Sequence, residues 1–504
     1  MAKVYLVGAG PGDPGLLTLK GLECIRKADV VVYDRLAHPD ILAQARPEAE
    51  LIYVGKAPSA HTMKQEDISR LLVRRAEEGN TVVRLKGGDP YVFGRGGEEA
   101  EALAESGVEF EVVPGITSAV AVPAYAGIPV THRTCCSALG IVTGHEDPAK
   151  PESRIKWDKI ATGIDTLVFL MGVENLPNIV AELVNNGRDP STPIALIRWG
   201  TRPEQETLVG TLEDIVERVH STGFESPAVT VVGDVVGLRE KLRWFDNRPL
   251  FGKKVLVTRS RDQAGVLCEA LREYGAEPIE FPVIRISPPT SFAALDAALD
   301  RIEDYDWVLF TSANGVRAVM DRVRELGRDV RWLKGPKIGA IGPKTAEAIA
   351  DLGINVDFTP TQFVAEAVVP EFPESVGGRR ILIPRAKEAR QVLPDKLTEQ
   401  GASVDVVESY RTEIEESDTP RIKDLLAAGE IDIVTFTSSS TVKNFVKLVA
   451  EGGAISLPDS VKIACIGPIT AQAAADCGLE VHAVADHYTI EGLLAAIATI
   501  SEDP

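Results

Sequence analysis

No stretch of about 18 apolar residues occurs in the 504-residue chain, so nothing in it reads as a membrane span. Signal-peptide architecture is missing too. Met1-Ala2-Lys3-Val4 runs straight into a strand-like segment, and a cytoplasmic protein is expected. Basic charge is scarce. Lys and Arg total 54 against 74 Asp and Glu, a net charge of −20, which excludes the basic footprint of a nucleic-acid binder. A site for an acidic substrate then has to be a local basic pocket inside a negative envelope. Cysteine is sparse and unpatterned. Cys24, Cys135, Cys136, Cys268, Cys465 and Cys477 contain no C-x-x-C pair, and no histidine stands at zinc spacing from any of them. No metal site is expected, and the thiols read as buried or incidental. Cys135-Cys136 is set apart only by its place after a suggestive motif. Walker spacing with its Lys-Ser/Thr pair is absent as well, so no P-loop is present.

What remains is an ordinary globular balance, 44% hydrophobic and 25% charged, in a chain long enough for roughly three or four domains. Apolar β-branched runs alternate with helical stretches, the pattern of α/β units on mostly parallel sheets. A break falls near "RWFDNRPLFGK" (243–253), after which "KKVLVTRS" starts a fresh first strand.

The second half repeats itself. "KVLVTRSRDQAGVLCEALREYGA" (254–276) aligns with "RILIPRAKEARQVLPDKLTEQGA" (380–402). "WVLFTSANGVRAVM" (307–320) aligns with "IVTFTSSSTVKNFV" (433–446), and "KIGAIGPKTAEAIADLGI" (337–354) with "KIACIGPITAQAAADCGL" (462–479). The offset is about 126 residues in each block. A duplicated α/β unit should give two similar lobes facing each other across a cleft, the usual place for a ligand. Thr311-Ser312 and Thr437-Ser438 stand between strand and helix in the two copies. A hydroxyl there caps a helix, and the helix N-terminus also offers N–H groups to an anion; two copies favour a paired clamp for a polyanion. Arg259 and Arg385 coincide under the offset, and arginine binds carboxylates bidentately. The repeat fails at one informative place. Arg285 maps to Arg411, but Ile284 maps to Tyr410, which puts a phenol at a strand end and makes Tyr410 the first choice for a hydroxyl in the cleft.

The first half is built on glycine turns. "GAGPGDPGLLTLKG" (8–21) follows a strand, but a dinucleotide fingerprint fails there. Position 13 is Asp13 rather than glycine, and Pro11 and Pro14 each remove a donor N–H. Asp34 ends "VVVYD", where a ribose-binding acid stands in a Rossmann fold; an NAD enzyme is the rival reading. "RLKGGDPYVFGRGGEEA" (84–100) places Gly87-Gly88 for close backbone approach, with Asp89 as an acceptor. "VVPGITSAVAVPAYAGIPVTHR" (112–133), "TLVFLMG" (166–172) and a strand ending at Gly200 complete the series.

In this order the turns resemble one family, the tetrapyrrole (precorrin) methyltransferases, in the branch acting on uroporphyrinogen III. The carriers are "VGAGPGDPGLLTLKG", "VVYDRL", "VGK", "RLKGGDPYVFGRGGEE", "PGITSA", "PVTHR", "TGH", "VFLMG" and "WGT", across nearly all of 3–245. The resemblance implies S-adenosylmethionine as cofactor, bound between two α/β domains in a homodimer. It assigns cofactor contacts to Pro11, Gly87, Gly88, Asp89, Val92, Thr117, Ser118, Met171 and Gly200. It assigns acid and base to Asp34 and Lys56, whose bland readings are a strand-end cap and a solvated lysine. An octa-acid substrate gives Arg35, Arg84, Lys86, Arg95, Arg133 and Arg202 a reason to cluster at the loop motifs, although any one of them also suits a surface salt bridge.

The second half is similar to uroporphyrinogen-III synthases through "VTRS", "TSANGV", "IGPKTAEAI", "ILIPRA", "YRT", "TFTSSSTVKNF" and "IACIGPITAQAA" (about 254–480). That implies two flavodoxin-like lobes, no cofactor, and conversion of hydroxymethylbilane to uroporphyrinogen III. The family's cleft tyrosine matches Tyr410. Arg259, Ser312, Arg385, Thr437 and Ser438 are the substrate-binding candidates. The expected domains are 1–115 and 116–246 for the methylase, 247–285 plus 412–504 for synthase lobe 1, and 286–411 for lobe 2. The joint expectation is a bifunctional α/β enzyme handling tetrapyrroles, with no nucleic-acid or membrane partner. The alternative is a first half methylating another tetrapyrrole and a second half that is a non-catalytic two-lobed binding module.

Overall fold

A computed structural model describes residues 3–55, 63–145, 154–361, 368–387, 389, 391–416, 418–450 and 457–501, apart from the side chains of 261–263. The chain forms two compact units, Met1–Lys253 with Glu273–Glu277, and Lys254–Arg272 with Pro278–Pro504.

The first unit carries two five-stranded sheets. One holds β1 (Lys3–Gly8), β2 (Val30–Tyr33), β3 (Glu50–Tyr53), β4 (Thr81–Lys86) and β5 (Phe110–Val113) in the order β3-β2-β4-β1-β5, parallel throughout. Its strands read as unbroken apolar runs because both faces are covered. Val4, Leu6, Val30, Val32 and Val82 belong to one core cluster; Val7, Val31, Val83 and Leu85 belong to another. The second sheet holds β6 (Leu139–Thr143), β7 (Thr166–Leu170), β8 (Pro193–Arg198), β9 (Glu206–Thr211) and β10 (Ala228–Val232) in the order β6-β7-β10-β8-β9. Of its neighbouring pairs β6–β7 is parallel and the other three are antiparallel, so this sheet is mixed.

The second unit also has two five-stranded sheets. β11 (Lys254–Val257), β12 (Glu277–Glu280), β18 (Ile433–Phe436), β19 (Lys462–Cys465) and β20 (Ala483–Val484) take the order β12-β11-β18-β19-β20. β13 (Ile284–Ser287), β14 (Trp307–Phe310), β15 (Lys337–Ala340), β16 (Arg380–Ala386) and β17 (Ser403–Ile414) take the order β13-β17-β16-β14-β15. The duplication is visible in the matching parallel pairs β14–β15 and β18–β19. The lobes are joined by a ribbon. β13 and β17 pair antiparallel from Ile284↔Ile414 to Ser287↔Arg411. Val407 packs in the core of one lobe, while Ile284 and Ile414 pack against the core of the other. The divisions at 285/286 and 411/412 therefore fall inside a continuous ladder, because strand pairing carries the chain across where a linker is expected.

Candidate active sites

Three glycine turns of the first unit interlock at the C-terminal ends of β1 and β4. Gly10 N–H donates to the Gly88 carbonyl (3.2 Å) and Gly88 N–H to the Gly10 carbonyl (2.7 Å). A methyl group on Gly8 would lie 2.5 Å from the Gly115 backbone, so no side chain fits at that crossing. Beside it opens a cleft of about 630 Å³, within the size range of small-molecule sites. Pro11, Gly87, Gly88, Val92 and Ser118 line it, together with Met171 and Gly200 at the ends of β7 and β8. Asp34, Arg35, Arg84, Lys86 and Arg202 reach it as well.

The cleft is edged by strained backbone. Among the described residues, five non-glycines have positive φ: Phe93 (51°), Arg95 (59°), Met171 (58°), Trp199 (47°) and Thr201 (71°). All five belong to the first unit, and Phe93, Met171 and Trp199 line the cleft. Such conformations persist only where the surroundings impose them, and they cluster at functional sites.

Asp13, the residue that breaks the dinucleotide fingerprint, ties the turn to distant chain. Its carboxylate accepts from the Tyr125 hydroxyl (2.7 Å) and the Gly15 amide (2.8 Å), and its own N–H donates to Thr201 Oγ1 (3.0 Å). Burial and the Asp13 carboxylate push the Tyr125 phenol well above its usual range. A glycine at position 13 would keep the backbone bond to Thr201 but lose the side-chain tie between the first-strand turn and Tyr125.

The charges at the cleft wall form a chain. Asp34 Oδ2 meets Arg84 Nη2 at 3.2 Å, Arg84 Nε meets Glu99 Oε1 at 3.2 Å, and Lys86 Nζ meets the same oxygen at 2.9 Å. Burial, then the neighbouring Arg84, pushes the Lys86 amine below the ordinary lysine range. Arg84 and Lys86, expected among the substrate-binding cations, both line the cleft and both also pair with the buried Glu99. Arg35 and Arg202 line the cleft with no carboxylate partner among the described residues, and Arg202 lies over the Trp199 ring (5.2 Å).

Other expected residues stand elsewhere. The Asp89 carboxylate does not line the cleft; it accepts from the Tyr91 (2.8 Å) and Gly115 (3.0 Å) amides and so shapes the turn. Thr117 caps the helix Ser118–Tyr125. Arg95 pairs with Glu98 and borders a separate groove between the helices Gln65–Glu77 and Gly96–Glu105. Arg133 is exposed and outside the cleft. Lys56 lies outside the described residues. Cys135 and Cys136 pack against the core of the second sheet.

In the second unit Tyr410 is 8% exposed, and its hydroxyl lies 2.9 Å from Ser312 Oγ. Ser312 caps the helix Ala313–Glu325 by accepting from Gly315 N–H (3.1 Å). A bulge precedes Tyr410. Arg385 pairs with Glu408 and Ala386 with Tyr410, leaving Ser409 as an extra residue. Bulges re-aim side chains and recur beside active sites. Arg385 is buried and donates to the Ala389 carbonyl (2.7 Å). Burial pushes the guanidiniums of Arg259 and Arg385 below their ordinary range. Ser438 caps the helix Ser439–Val449 next to the half-buried Thr437.

Residues 3–216 match the family model of tetrapyrrole (corrin/porphyrin) methylases, and residues 265–495 match that of uroporphyrinogen-III synthase HemD. A porphyrin biosynthesis protein HemD of Ruminiclostridium josui is 41% identical over 498 residues, 99% of this chain and 98% of its own. The chain belongs to the fused methylase–synthase family of porphyrin biosynthesis proteins. Its methylase half is 55% identical over 240 residues to an S-adenosyl-L-methionine-dependent uroporphyrinogen III methyltransferase of Methanosarcina barkeri, covering 48% of this chain and 94% of that one. A uroporphyrin III C-methyl transferase structure from Thermus thermophilus is 42% identical, covering 47% of this chain and 99% of its own, with a TM-score of 0.41.

Sequence reasoning about this methylase–synthase overlooked Glu99, Asp13, Tyr125 and Trp199. Glu99 is the last glutamate of "GRGGEE" and looks like an ordinary acidic first turn; its only distinguishing signal is position, on the helix facing two cations spaced i,i+2 on β4. Asp13 bonds across 112 and 188 residues of sequence, and no local pattern announces that.

Proposed function

We propose that the methylase half transfers two methyl groups from S-adenosylmethionine to uroporphyrinogen III, giving precorrin-2, and that the synthase half closes hydroxymethylbilane to uroporphyrinogen III with ring D inverted. The observation that carries the first part is the convergence of Pro11, Gly87, Gly88, Val92, Ser118, Met171 and Gly200, from five chain segments, on one cleft. Those residues would hold the cofactor. Close glycine backbone suits a ligand that needs carbonyls and has no phosphate to cradle. When bound, S-adenosylmethionine supplies a methyl group on a positively charged sulfur. Most of the rate is then orientation in a site closed to water. Arg35 and Arg202 hold substrate carboxylates, and Asp34 accepts the proton the ring sheds once the new carbon–carbon bond has formed. Lys56 completes that proton traffic.

In the synthase half, Tyr410 donates its hydroxyl proton to the departing hydroxyl of the bilane. The carbon–oxygen bond breaks with its electron pair on oxygen, water leaves, and the pyrrole system supplies the electrons that stabilise the remaining carbon. Arg259, Arg385, Ser312, Thr437 and Ser438 hold the side-chain carboxylates, and no cofactor is required. No helix among the described residues is long and apolar enough to cross a membrane. A cytoplasmic homodimer joined through the methylase half agrees with this reading, supported by exposed Leu51 and Tyr53 on the edge strand β3.

The test supplies full-length protein with hydroxymethylbilane, with and without S-adenosylmethionine. Type-III porphyrinogen without it and a dimethylated product with it are expected. Spontaneous type-I product alone would remove the synthase assignment; methylation of a different tetrapyrrole only would remove the substrate assignment of the methylase.

A further inference from the structure

Glu99 is fully buried and does not line the cleft, yet three donors converge on its Oε1: Gln65 Nε2 (3.0 Å), Arg84 Nε (3.2 Å) and Lys86 Nζ (2.9 Å). Arg84 and Lys86 are alternate residues of β4, so their side chains leave the same face of the sheet. Each is only 4% exposed. Two buried cations side by side repel each other and are costly without a nearby anion. Glu99 is that anion for both. It sits in the first turn of Gly96–Glu105, where the helix dipole also favours a negative charge. Arg84 extends the chain to Asp34 through its other nitrogen (3.2 Å) and is fixed further by the Leu85 carbonyl (2.9 Å). The result is an alternating row, Asp34–Arg84–Glu99–Lys86, with no net charge. Three of its members face the cleft and one stands behind them.

We infer that Glu99 is a positioning residue for methyl transfer: it holds Lys86 directly, and Asp34 through Arg84, at fixed places on the cleft wall. The inference rests on the proposed methylation of uroporphyrinogen III. A neutral row also explains how the pocket receives an acidic substrate. Its two buried cations serve the wall, and Arg35 and Arg202 remain for the carboxylates. A purely structural buried ion pair would affect stability and every function of this half together. A positioning role is narrower, because the hydrogen bonds of Glu99 go to Gln65, Arg84 and Lys86 and to neither Met171 nor Gly200.

The experiment uses the full-length chain. Glu99→Gln removes the charge and keeps the shape. Expected are an S-adenosylhomocysteine affinity within about twofold of the parent, a KM for uroporphyrinogen III within about threefold, and a methylation kcat lower by at least about tenfold, the scale of misplaced reacting groups. Synthase activity of the same preparation should be unchanged. If Glu99→Gln does not fold, Glu99→Asp carries the test: it keeps the charge, withdraws the carboxylate by one methylene, and is expected to lower kcat by about threefold or more with cofactor-product affinity intact. A folded variant with parental kcat overturns the inference, as does an equal loss of cofactor-product affinity and kcat. Failure of the parent protein to methylate uroporphyrinogen III would instead overturn the reading beneath it.

Discussion

The two lobes of the synthase half share one backbone device and use it differently. Ser312 and Ser438 occupy equivalent turns, both with extended backbone (φ −159° and −163°), and each caps the helix that follows it. They part at the second hydrogen bond. Ser438 Oγ bonds Ser440 Oγ on its own helix (2.9 Å), whereas Ser312 Oγ bonds Tyr410 on another strand (2.9 Å). Ile284, the counterpart of Tyr410, packs against the core of its lobe. Ser312 Oγ thus links the helix cap to Tyr410 across the lobe, with Gly315 N–H on one side and the phenol on the other. Both lobes keep the cap, and they differ where one strand end carries Ile284 and the other carries Tyr410 after a bulge.

That contrast can be broken most severely at Tyr410. Tyr410→Phe should lower synthase kcat by about a hundredfold or more, the usual scale of a lost general acid, while methylation of supplied uroporphyrinogen III continues; the ratio of type-III to type-I product reads the loss. Moving the hydroxyl to the mirror lobe sharpens the point. Ile284→Tyr in the Tyr410→Phe background should recover no activity, because the new phenol would lie against an apolar core and not beside a capping serine. Recovery would mean that the lobes are interchangeable. A smaller effect separates the serines. Ser312→Ala should lower kcat by about five- to tenfold and Ser438→Ala should raise KM, each losing about 1 kcal/mol of stability with its cap; kinetics and thermal melts on both variants distinguish them.

The smallest effect concerns the thiols, all three of which in this half lie outside lobe 2. Cys465 is fully buried, and burial pushes its thiol up to about 12. The folded state therefore keeps a proton that the unfolded chain releases from about pH 8.5 upward, so this group removes stability as pH rises from there toward 12. Alkylation at pH 8 should modify the half-buried Cys477 and spare Cys465 until the lobe unfolds. Early labelling of Cys465 would show that lobe 1 opens far more readily than its packing implies.

Much of this organisation was legible in the residues. The 126-residue offset exposed the duplication, its single break pointed to Tyr410, and glycines at strand ends located most of the methylase cleft. What stayed hidden depends on distance or on a change of register. Nothing local marks Asp13 as a partner of Tyr125 and Thr201, so the aspartate looked like a defect in a glycine motif. The bulge at Ser409 leaves no trace in an ungapped repeat. Arg84 and Lys86 were legible as cations at the loop motifs, but the carboxylate they share comes from a different element, and only packing brings Glu99 between them.

The glycine crossing of the methylase half limits how such a site can diversify. Gly8 and Gly115 meet through main chain with no room for a side chain on either, and Gly88 beside them holds a positive φ of 68° that suits glycine. A new substrate preference cannot be written into that wall by substitution. Variation has to come from the side-chain-bearing margin, Leu36, Trp199 and Arg202. A directed library confined to those three positions should retain the cofactor while its acceptor changes, and one aimed at the crossing should yield mostly inactive chains.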